Sequence, residues 1–464
     1  MITRFYLAAA HKSSGKTTAA IGLCAAFAQQ GLSVQPYKKG PDYIDPLWLT
    51  RASGRPCQNL DFHTQSRAEI ETLWARAADG ADMLVIEGNK GLFDGIALDG
   101  SDSNAALAHS LKVPVVLVLD AKGVSRGLAP LVLGYRHFDP DLPIAGIILN
   151  RVGGARHEAK LRAVLAAYTD VPVVGALLED RALRLTERHL GLIPAGEIGE
   201  AERHIAAIAR HVRDHVDLAA LQALTGEAPA PIARPPRASA TRVRIGIAED
   251  AAFSFYYPGD REALAEAGAE LVPFDTLKDT RLPAVDGLFL GGGFPETQAR
   301  ALAQNAALRA ALRAALTAGL PAYAECGGLM YLARRLTWDG VTYPMTGFIP
   351  ADVILHETPV GHGYMVLKAT RAHPWPPAGD SEARGLPAHE FHYSELVGLG
   401  PDARFAYEVV RGHGIDGRHD GLLIANCLAS YAHLRDVAGC RWAASFVAFV
   451  RACAQGPARA AYGL

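Results

Sequence analysis

A short polar segment near the start of the chain has the residue types that bind phosphate. At the start of a helix, backbone N–H groups bind phosphate oxygens, a lysine reaches the β- and γ-phosphates, and a threonine hydroxyl joins the Mg²⁺ shell. The segment lies between an apolar run and a helical pattern, so it predicts a P-loop, with an ordinary polar helix start as the alternative. The pattern G-x-x-x-x-G-K-[ST] is incomplete because Ala10 occupies the first glycine position. The predicted phosphate-binding residues are Ser14, Gly15, Lys16, Thr17 and Thr18.

Acidic and amide side chains follow other apolar runs, at the strand ends where an open α/β sheet assembles its binding site. Glu87 ends ADMLVIE, and Asp42 and Asp45 lie in KKGPDYIDP with Lys38. This mixture of charges suits Mg²⁺ together with a carboxylate substrate, although solvated or capping roles fit the spacing equally well. Asn150 ends LPIAGIILN and is interpreted either as a contact to a base edge or as a turn residue.

A thiol in the second half of the chain has the surroundings of a nucleophile. Cys326 follows the apolar run LPAYAE and precedes two glycines and a helical pattern. Such a strand-to-helix elbow exposes a nucleophile at a helix N-terminus, where the dipole favours thiolate. A buried structural cysteine is the alternative. Backbone N–H groups of a second glycine run can bind an oxyanion, and the candidate donors are Gly292, Gly293 and Gly327.

A thiol nucleophile also needs a base, and the chain has 17 histidines. Most histidines in proteins are structural or solvated. The residue types alone therefore do not select one. The candidates in the second half are His356, His362, His389, His392, His413 and His433.

Two α/β domains are needed to position these groups. Apolar strand patterns alternate with helical ones before residue 226, which indicates a parallel sheet covered on both faces. Proline-rich residues 226–241 predict a linker. The α/β pattern then restarts and ends in a predicted helix near 437–453. The predicted domains are therefore residues 1–225 and 242–464.

Composition narrows the class of protein. At 464 residues, with half of them hydrophobic, the chain is predicted to be globular and multidomain. The net charge of −2 provides no general attraction for nucleic acid or anionic membrane. The six scattered cysteines favour reduced thiols. Because no signal peptide or membrane span is recognisable, we expect a cytoplasmic enzyme.

Taken together, these motifs resemble the corrin-ring a,c-diamide synthase family of vitamin B12 biosynthesis over nearly the whole chain. The resemblance is carried by the P-loop, KKGPDYIDP, the elbow AECGGLMYL and SYAHLR, and supported by NLDFH, EGNKGLFDG, ILNRV, RHLGL and GGGFPE. It implies a dethiobiotin-synthetase-like P-loop domain followed by a class I glutamine amidotransferase domain.

The resemblance also implies roles for individual residues. In the second domain, Cys326 attacks glutamine and His433 is its base. Class I amidotransferases carry a glutamate two residues after this histidine, whereas this chain has Arg435, so Glu390 is a candidate to orient a histidine. In the first domain, Lys16 and Thr17 bind ATP, and Asn150 contacts its adenine. The Mg²⁺ contacts are Thr17, Asp45 and Glu87. Lys38 lies near the substrate carboxyl. The candidate anchors for other corrinoid carboxylates are Arg151, Arg156, Arg188 and His189.

The implied reaction is ATP-dependent amidation of the a and c acetate carboxylates of hydrogenobyrinate or cobyrinate. The alternative is a related amidotransferase that acts on other corrinoid carboxylates, as a cobyric acid synthase does. A ParA-like ATPase has no use for the elbow cysteine, and a non-catalytic binding protein has no glutaminase activity. The oligomeric state stays open between a monomer and a homodimer.

Overall fold

The structure is a computed structural model. It describes residues 1–183, 187–188, 191–192, 198–227, 229–230, 242–378 and 385–455. The chain divides into two compact units. Unit 1 consists of Met1–Phe62 and Ser66–Arg234, and unit 2 consists of His63–Gln65 and Pro235–Leu464.

Unit 1 alternates strands and helices along most of its length. Its elements are β1 (Ile2–Ala9), α1 (Lys16–Gln29), β2 (Val34–Lys39), α2 (Ile44–Ser53), β3 (Gln58–Leu60), α3 (Arg67–Ala77), β4 (Met83–Glu87), α4 (Asn104–Leu111), β5 (Val115–Asp120), α5 (Leu128–Phe138), β6 (Ile144–Val152), α6 (Ala155–Tyr168), β7 (Val173–Leu178), β8 (Glu187–Arg188), β9 (Gly191–Leu192), α7 (Ile198–His215), α8 (Leu218–Gln222) and β10 (Thr225–Gly226).

The main sheet of unit 1 is parallel, as the continuous apolar runs predict. Its strand order is β3-β2-β4-β1-β5-β6-β7, and β10 pairs antiparallel with β1. The first strand is therefore central, with β4 and β5 on either side of it. In such a sheet, ligands bind beyond the carboxyl ends of the strands at the point where the strand order reverses. This is where the loop between β1 and α1 lies.

Unit 2 begins with a second α/β pattern and continues with shorter strands. Its elements are β11 (Val243–Ala248), β12 (Phe253–Phe255), α9 (Pro258–Glu266), β13 (Ala269–Phe274), β14 (Gly287–Leu290), β15 (Gly292–Gly293), α10 (Ala299–Gln304), α11 (Ala306–Thr317), β16 (Ala322–Glu325), α12 (Gly327–Leu332), β17 (Arg335–Trp338), β18 (Val341–Pro344), β19 (Asp352–Leu355), β20 (Gly361–Ala369), β21 (Leu386–His392), β22 (Ser394–Val397), β23 (Arg404–Arg411), β24 (His419–Ile424), β25 (Cys427–Ser430) and α13 (Trp442–Gln455).

The principal sheet of unit 2 is mixed. Its order is β13-β11-β14-β16-β25-β24-β23-β20-β21. The first five strands of this order are parallel, and the remaining pairs are antiparallel. Aromatic side chains fill one face of its centre, where Phe289 stacks on Tyr323 and Trp442 packs edge-on against Phe289. This core fixes β16 and therefore the cysteine that follows it.

Two element boundaries differ from the sequence-based expectations. Gly226, the first residue of the predicted linker, still pairs with Ile2 in the first sheet, and most of the remaining linker lies outside the described residues. The last helix begins at Trp442, five residues later than expected. The Asp436 carboxylate accepts a hydrogen bond from the Ala443 backbone N–H at its start. Within the part of the chain that the structure describes, no helix is long and apolar enough to cross a membrane.

Candidate functional site

The predicted phosphate loop connects β1 to α1. Gly15 caps this helix with φ 89°, a left-handed conformation that glycine adopts at little cost. A Cβ atom at Gly15 would lie 2.0 Å from Nδ2 of Asn150. The Asn150 amide donates a hydrogen bond to the Ser14 carbonyl at 2.9 Å. Asn150 thus holds the loop itself, and its contact with adenine stays a prediction.

The departure at Ala10 has a simple structural reason. Left-handed backbone in this loop occurs at Ser13 and Gly15 rather than at Ala10, so an alanine is accommodated there. Lys16 donates a hydrogen bond to the Lys90 carbonyl at 2.7 Å. Burial lowers the pKa of Lys16 to about 8, although neighbouring carboxylates, Glu87 first, oppose the decrease.

Four predicted site residues meet beside this loop. Thr17 Oγ1 donates to Glu87 Oε1 at 2.5 Å and lies 3.3 Å from Asp45 Oδ2. Lys38 Nζ lies 2.5 Å from Asp45 Oδ2 and 3.0 Å from Glu87 Oε1. The parallel register that pairs Lys38 with Glu87 places both at the same edge of the sheet. Asp45 lies in the first turn of α2.

These oxygens fit a magnesium ion. Glu87 is 1% exposed, and its Oε2 atom has no hydrogen-bond partner. Burial raises the pKa of Glu87, while Lys38 opposes that rise. No group of three His, Cys, Asp or Glu side chains among the described residues is placed to hold a metal by itself. Mg²⁺ typically takes only one or two carboxylates and completes its shell with water and substrate phosphates.

A cavity of about 730 Å³ lies next to these residues within unit 1. Its polar lining includes Lys16, Thr17, Thr18 and Asn150. The apolar side chains that line it are Leu177, Leu178, Leu183, Ile208 and Val212. The volume is in the usual range for a small-molecule site, and the combination suits a ligand with phosphates at one end and an apolar ring at the other.

The predicted corrinoid anchors are only partly visible. Arg151 lines the cavity and pairs with Asp120 at 2.6 Å, whereas Arg156 is exposed at the start of α6. Arg188 belongs to the short strand β8, but its side chain is not described. His189 lies outside the described residues. The anchoring roles of all four residues therefore stay predictions.

Cys326 occupies a strand-to-helix elbow, as its flanking pattern predicts. It follows β16, precedes α12, and has φ 46° and ψ −100°. Its backbone N–H donates to the Ser430 carbonyl at 2.7 Å, which ties the elbow to the end of β25. Positive φ at a residue with a side chain costs energy and is typical of functional sites.

His433 lies beside this thiol, three residues after β25. Its ring stacks on His389 with centroids 4.8 Å apart. Its Nδ1 atom lies 3.7 Å from Glu325 Oε2. Burial alone would lower the pKa of His433, but hydrogen bonds and charges from Cys326 and Glu325 outweigh it and raise the pKa to about 10.

The three glycines predicted as oxyanion donors lie around this pair. A Cβ atom at Gly292 would lie 2.5 Å from Cε1 of His433, and one at Gly327 would lie 3.1 Å from the backbone N of Gly293. Such close approaches leave no room for a side chain. The geometry brings thiol, imidazole and glycine backbone together, which is the arrangement required for nucleophilic attack on a carbonyl carbon.

Glu390, the candidate to orient a histidine, contacts His392 rather than His433. Its carboxylate accepts hydrogen bonds from the backbone of His413 at 2.7 Å and Gly414 at 2.9 Å, and lies 3.4 Å from His392 Nε2. It therefore stabilises a turn and a different histidine. The carboxylate beside His433 belongs to Glu325, which the sequence analysis missed. Its position directly before Cys326 was the available signal.

Comparisons with known proteins match a different family model to each of the two candidate sites. Residues 6–193 match the CobQ/CobB/MinD/ParA nucleotide binding domain, and residues 244–436 match the CobB/CobQ-like glutamine amidotransferase domain. The chain is 46% identical to a cobyrinate a,c-diamide synthase of Magnetococcus marinus, with 97% of each chain covered. Proteins of the same name from Methanosarcina acetivorans and Synechocystis are 40% and 37% identical. These alignments cover 96% and 92% of this chain, and 95% and 89% of the respective relatives.

Proposed function

The chain belongs to the cobyrinate a,c-diamide synthase family, and we propose specific roles for its residues in the amidation reaction. The enzyme is a ligase of cobalamin biosynthesis that uses ATP and glutamine to amidate corrinoid carboxylates. Unit 1 activates the carboxylate, and unit 2 releases ammonia from glutamine. The observation that carries the assignment of residues is the positive-φ elbow at Cys326, together with the buried His433 ring that lies against the Gly292 backbone.

Carboxylate activation is required because oxide is a poor leaving group. The substrate carboxylate attacks the γ-phosphorus of ATP, ADP leaves, and an acyl phosphate forms. Ammonia then attacks the acyl carbon and displaces phosphate, which leaves the amide. Lys16 and the N–H groups of the P-loop stabilise charge on the phosphoryl oxygens during transfer.

Thr17, Asp45 and Glu87 would hold Mg²⁺. When bound, the ion supplies positive charge that neutralises the β- and γ-phosphate oxygens. Lys38, which contacts both carboxylates, is placed to orient the substrate carboxylate. Asn150 maintains the loop and, in this proposal, contacts the adenine base.

Glutamine hydrolysis proceeds through a thioester. The Cys326 thiolate attacks the side-chain amide carbon, and N–H groups of Gly292, Gly293 and Gly327 bind the oxyanion. The His433 imidazolium gives a proton to the departing ammonia. The neutral imidazole then removes a proton from the water that cleaves the thioester, which restores the thiol and releases glutamate.

The proposed substrate is cobyrinate or its metal-free counterpart hydrogenobyrinate, amidated at the a and c acetates. Arg188 and His189 are proposed to anchor its other carboxylates. We also propose a cytoplasmic location and leave the monomer and the homodimer as the two oligomeric states to be distinguished. Turnover with each purified tetrapyrrole tests the choice of substrate, and exclusive amidation of a different corrinoid carboxylate would contradict it.

Cys326→Ala tests whether unit 2 alone releases ammonia from glutamine while unit 1 carries out the amidation. Glutamine-dependent amidation should be abolished, while amidation with a high concentration of ammonium continues, because unit 1 needs only ammonia. The measurement is amide formation by chromatography with each nitrogen donor. Equal loss with both donors would contradict the assignment of Cys326.

A further inference from the structure

A carboxylate other than that of Glu390 lies at the thiol site, beside His433. Glu325 is 2% exposed and His433 is 3% exposed, and 3.7 Å separates Glu325 Oε2 from His433 Nδ1. A carboxylate so deeply buried is stable only when its charge is compensated. The ring beside it that can carry a compensating positive charge is the His433 imidazole.

The carboxylate is held by groups that do not take part in glutamine hydrolysis. Its Oε1 atom accepts a hydrogen bond from the Tyr323 hydroxyl at 2.6 Å and from the Leu434 backbone N–H at 3.0 Å. Both bonds use one oxygen, so Oε2 remains directed at the imidazole. The parallel register of β16 and β25, which pairs Glu325 with Ser430, fixes the distance between the two chain segments.

We propose that Glu325 is the positioning residue for His433: its carboxylate selects the tautomer with a proton on Nδ1 and stabilises the imidazolium that forms during glutamine hydrolysis. The proposal rests on the role proposed above for the Cys326–His433 pair. It assigns a role to Glu325, which neither the elbow motif nor the match to the glutamine amidotransferase domain identifies.

The other groups around the imidazole do not replace this carboxylate. His389 stacks on the ring, but burial, followed by the charges of His433 and Arg435, keeps its pKa well below the ordinary value, so it stays neutral. Arg435 has its guanidinium 4.9 Å from the centre of the Tyr257 ring. The Asp260 carboxylate accepts a hydrogen bond from the Asp436 backbone. Cys326 is the reacting group, so it cannot also serve as a lasting counter-charge.

Glu325→Gln is the most specific test because glutamine has nearly the same side-chain shape as glutamate but no charge. The glutamine oxygen can keep the bonds to Tyr323 and Leu434, which leaves its NH₂ group facing Nδ1. Two donors then oppose each other, so the proton moves to Nε2 and the imidazolium loses its counter-charge. We expect kcat/KM for glutamine to fall roughly 10²–10⁴-fold, with ammonia-dependent amidation unchanged.

The pH profile separates positioning from a purely structural role. A neighbouring opposite charge raises a histidine pKa, so removing it should move the basic limb of kcat/KM for glutamine to lower pH by about one unit or more. Glu325→Asp, which retains the charge, should have its basic limb above that of Glu325→Gln. Glu390→Gln is the matched control, since this buried carboxylate contacts His392 instead, and its basic limb should coincide with that of the wild type.

Wild-type protein labelled with ¹⁵N-histidine provides a second measurement that does not depend on the folding of a variant. The His433 signal, identified by its loss in His433→Gln, should show a protonated Nδ1 at neutral pH. An unprotonated Nδ1, or an unshifted basic limb in folded Glu325→Gln, would overturn the proposal. If Cys326→Ala abolishes glutamine use while Glu325→Gln behaves as wild type, the inference alone fails. If Cys326→Ala retains glutamine use, the proposed function fails.

Discussion

At the scale of single residues, Lys16 is the clearest example of a side chain whose surroundings determine its chemistry. It is buried at the first position of α1 and donates to a backbone carbonyl, and burial lowers its pKa to about 8. When a phosphate oxygen replaces this carbonyl as the acceptor, Lys16 forms a stronger hydrogen bond because the new acceptor is charged. The exchange of partners therefore costs little free energy.

Lys16→Ala should therefore strongly reduce amidation with both nitrogen donors. The substitution removes positive charge from the phosphoryl transition state, where one electrostatic contact is worth roughly 10²–10³-fold in rate. Initial rates with glutamine and with ammonium measure the effect. The matched control is Lys160→Ala, which removes an exposed lysine of α6 in the same unit. Full activity of Lys16→Ala would show that the loop is structural.

At the scale of elements, the two-residue strand β15 lies against the reacting groups of unit 2. It pairs antiparallel with β12 through Phe253 and Phe255, so its backbone cannot withdraw without breaking that pairing. A methyl group at Gly292 would lie 2.5 Å from Cε1 of His433. One of the two must move, and a shift of the imidazole would disturb its stacking on His389 and its distance from Glu325.

Gly292→Ala should consequently impair glutamine-dependent amidation while sparing ammonia-dependent amidation. Displacement of the imidazole by even about 1 Å can cost roughly 10²-fold. The measurement is the ratio of the two rates. Gly259→Ala in α9 is the control, because no atom lies within 4 Å of the added methyl group. An unchanged ratio in Gly292→Ala would show that β15 has no part in holding His433.

At the scale of the whole molecule, two amidations must share one set of reacting groups. The described residues contain one P-loop and one elbow cysteine, whereas the a and c carboxylates lie on different rings of a rigid macrocycle. Both carboxylates cannot face a single γ-phosphate in one pose. The half-amidated product must rotate in the site or leave and bind again.

We predict release, because a ligand anchored by solvent-accessible carboxylates dissociates readily. Free monoamide should accumulate when ATP is limiting, and added monoamide should be converted to diamide. A quenched time course analysed by chromatography measures both. Detection of only the starting acid and the diamide, with added monoamide inert, would require a processive site.

Much of the fold was predictable from local patterns. The apolar runs ADMLVIE, LPIAGIILN and LPAYAE, the polar loop before α1 and the glycines after Cys326 each depend on residues adjacent in the chain. Their patterns therefore indicate strand, loop or elbow directly. The alternation of strands and helices was sufficient for a parallel sheet in unit 1. The late start of α13 was not predictable, since the Asp436 carboxylate that caps it lies outside the helical pattern.

The composition of the two sites depended on contacts between distant parts of the chain. Thr17 and Glu87 are 70 residues apart and meet only because β1 and β4 are neighbours in the sheet. Glu390 contacts His392, two residues away in the sequence, whereas Glu325 reaches His433 through the pairing of β16 with β25. Residue types and local spacing therefore specify which chemistry the chain can perform. Strand order and register determine which carboxylate faces which cation, because they alone set the distances between side chains from separate segments.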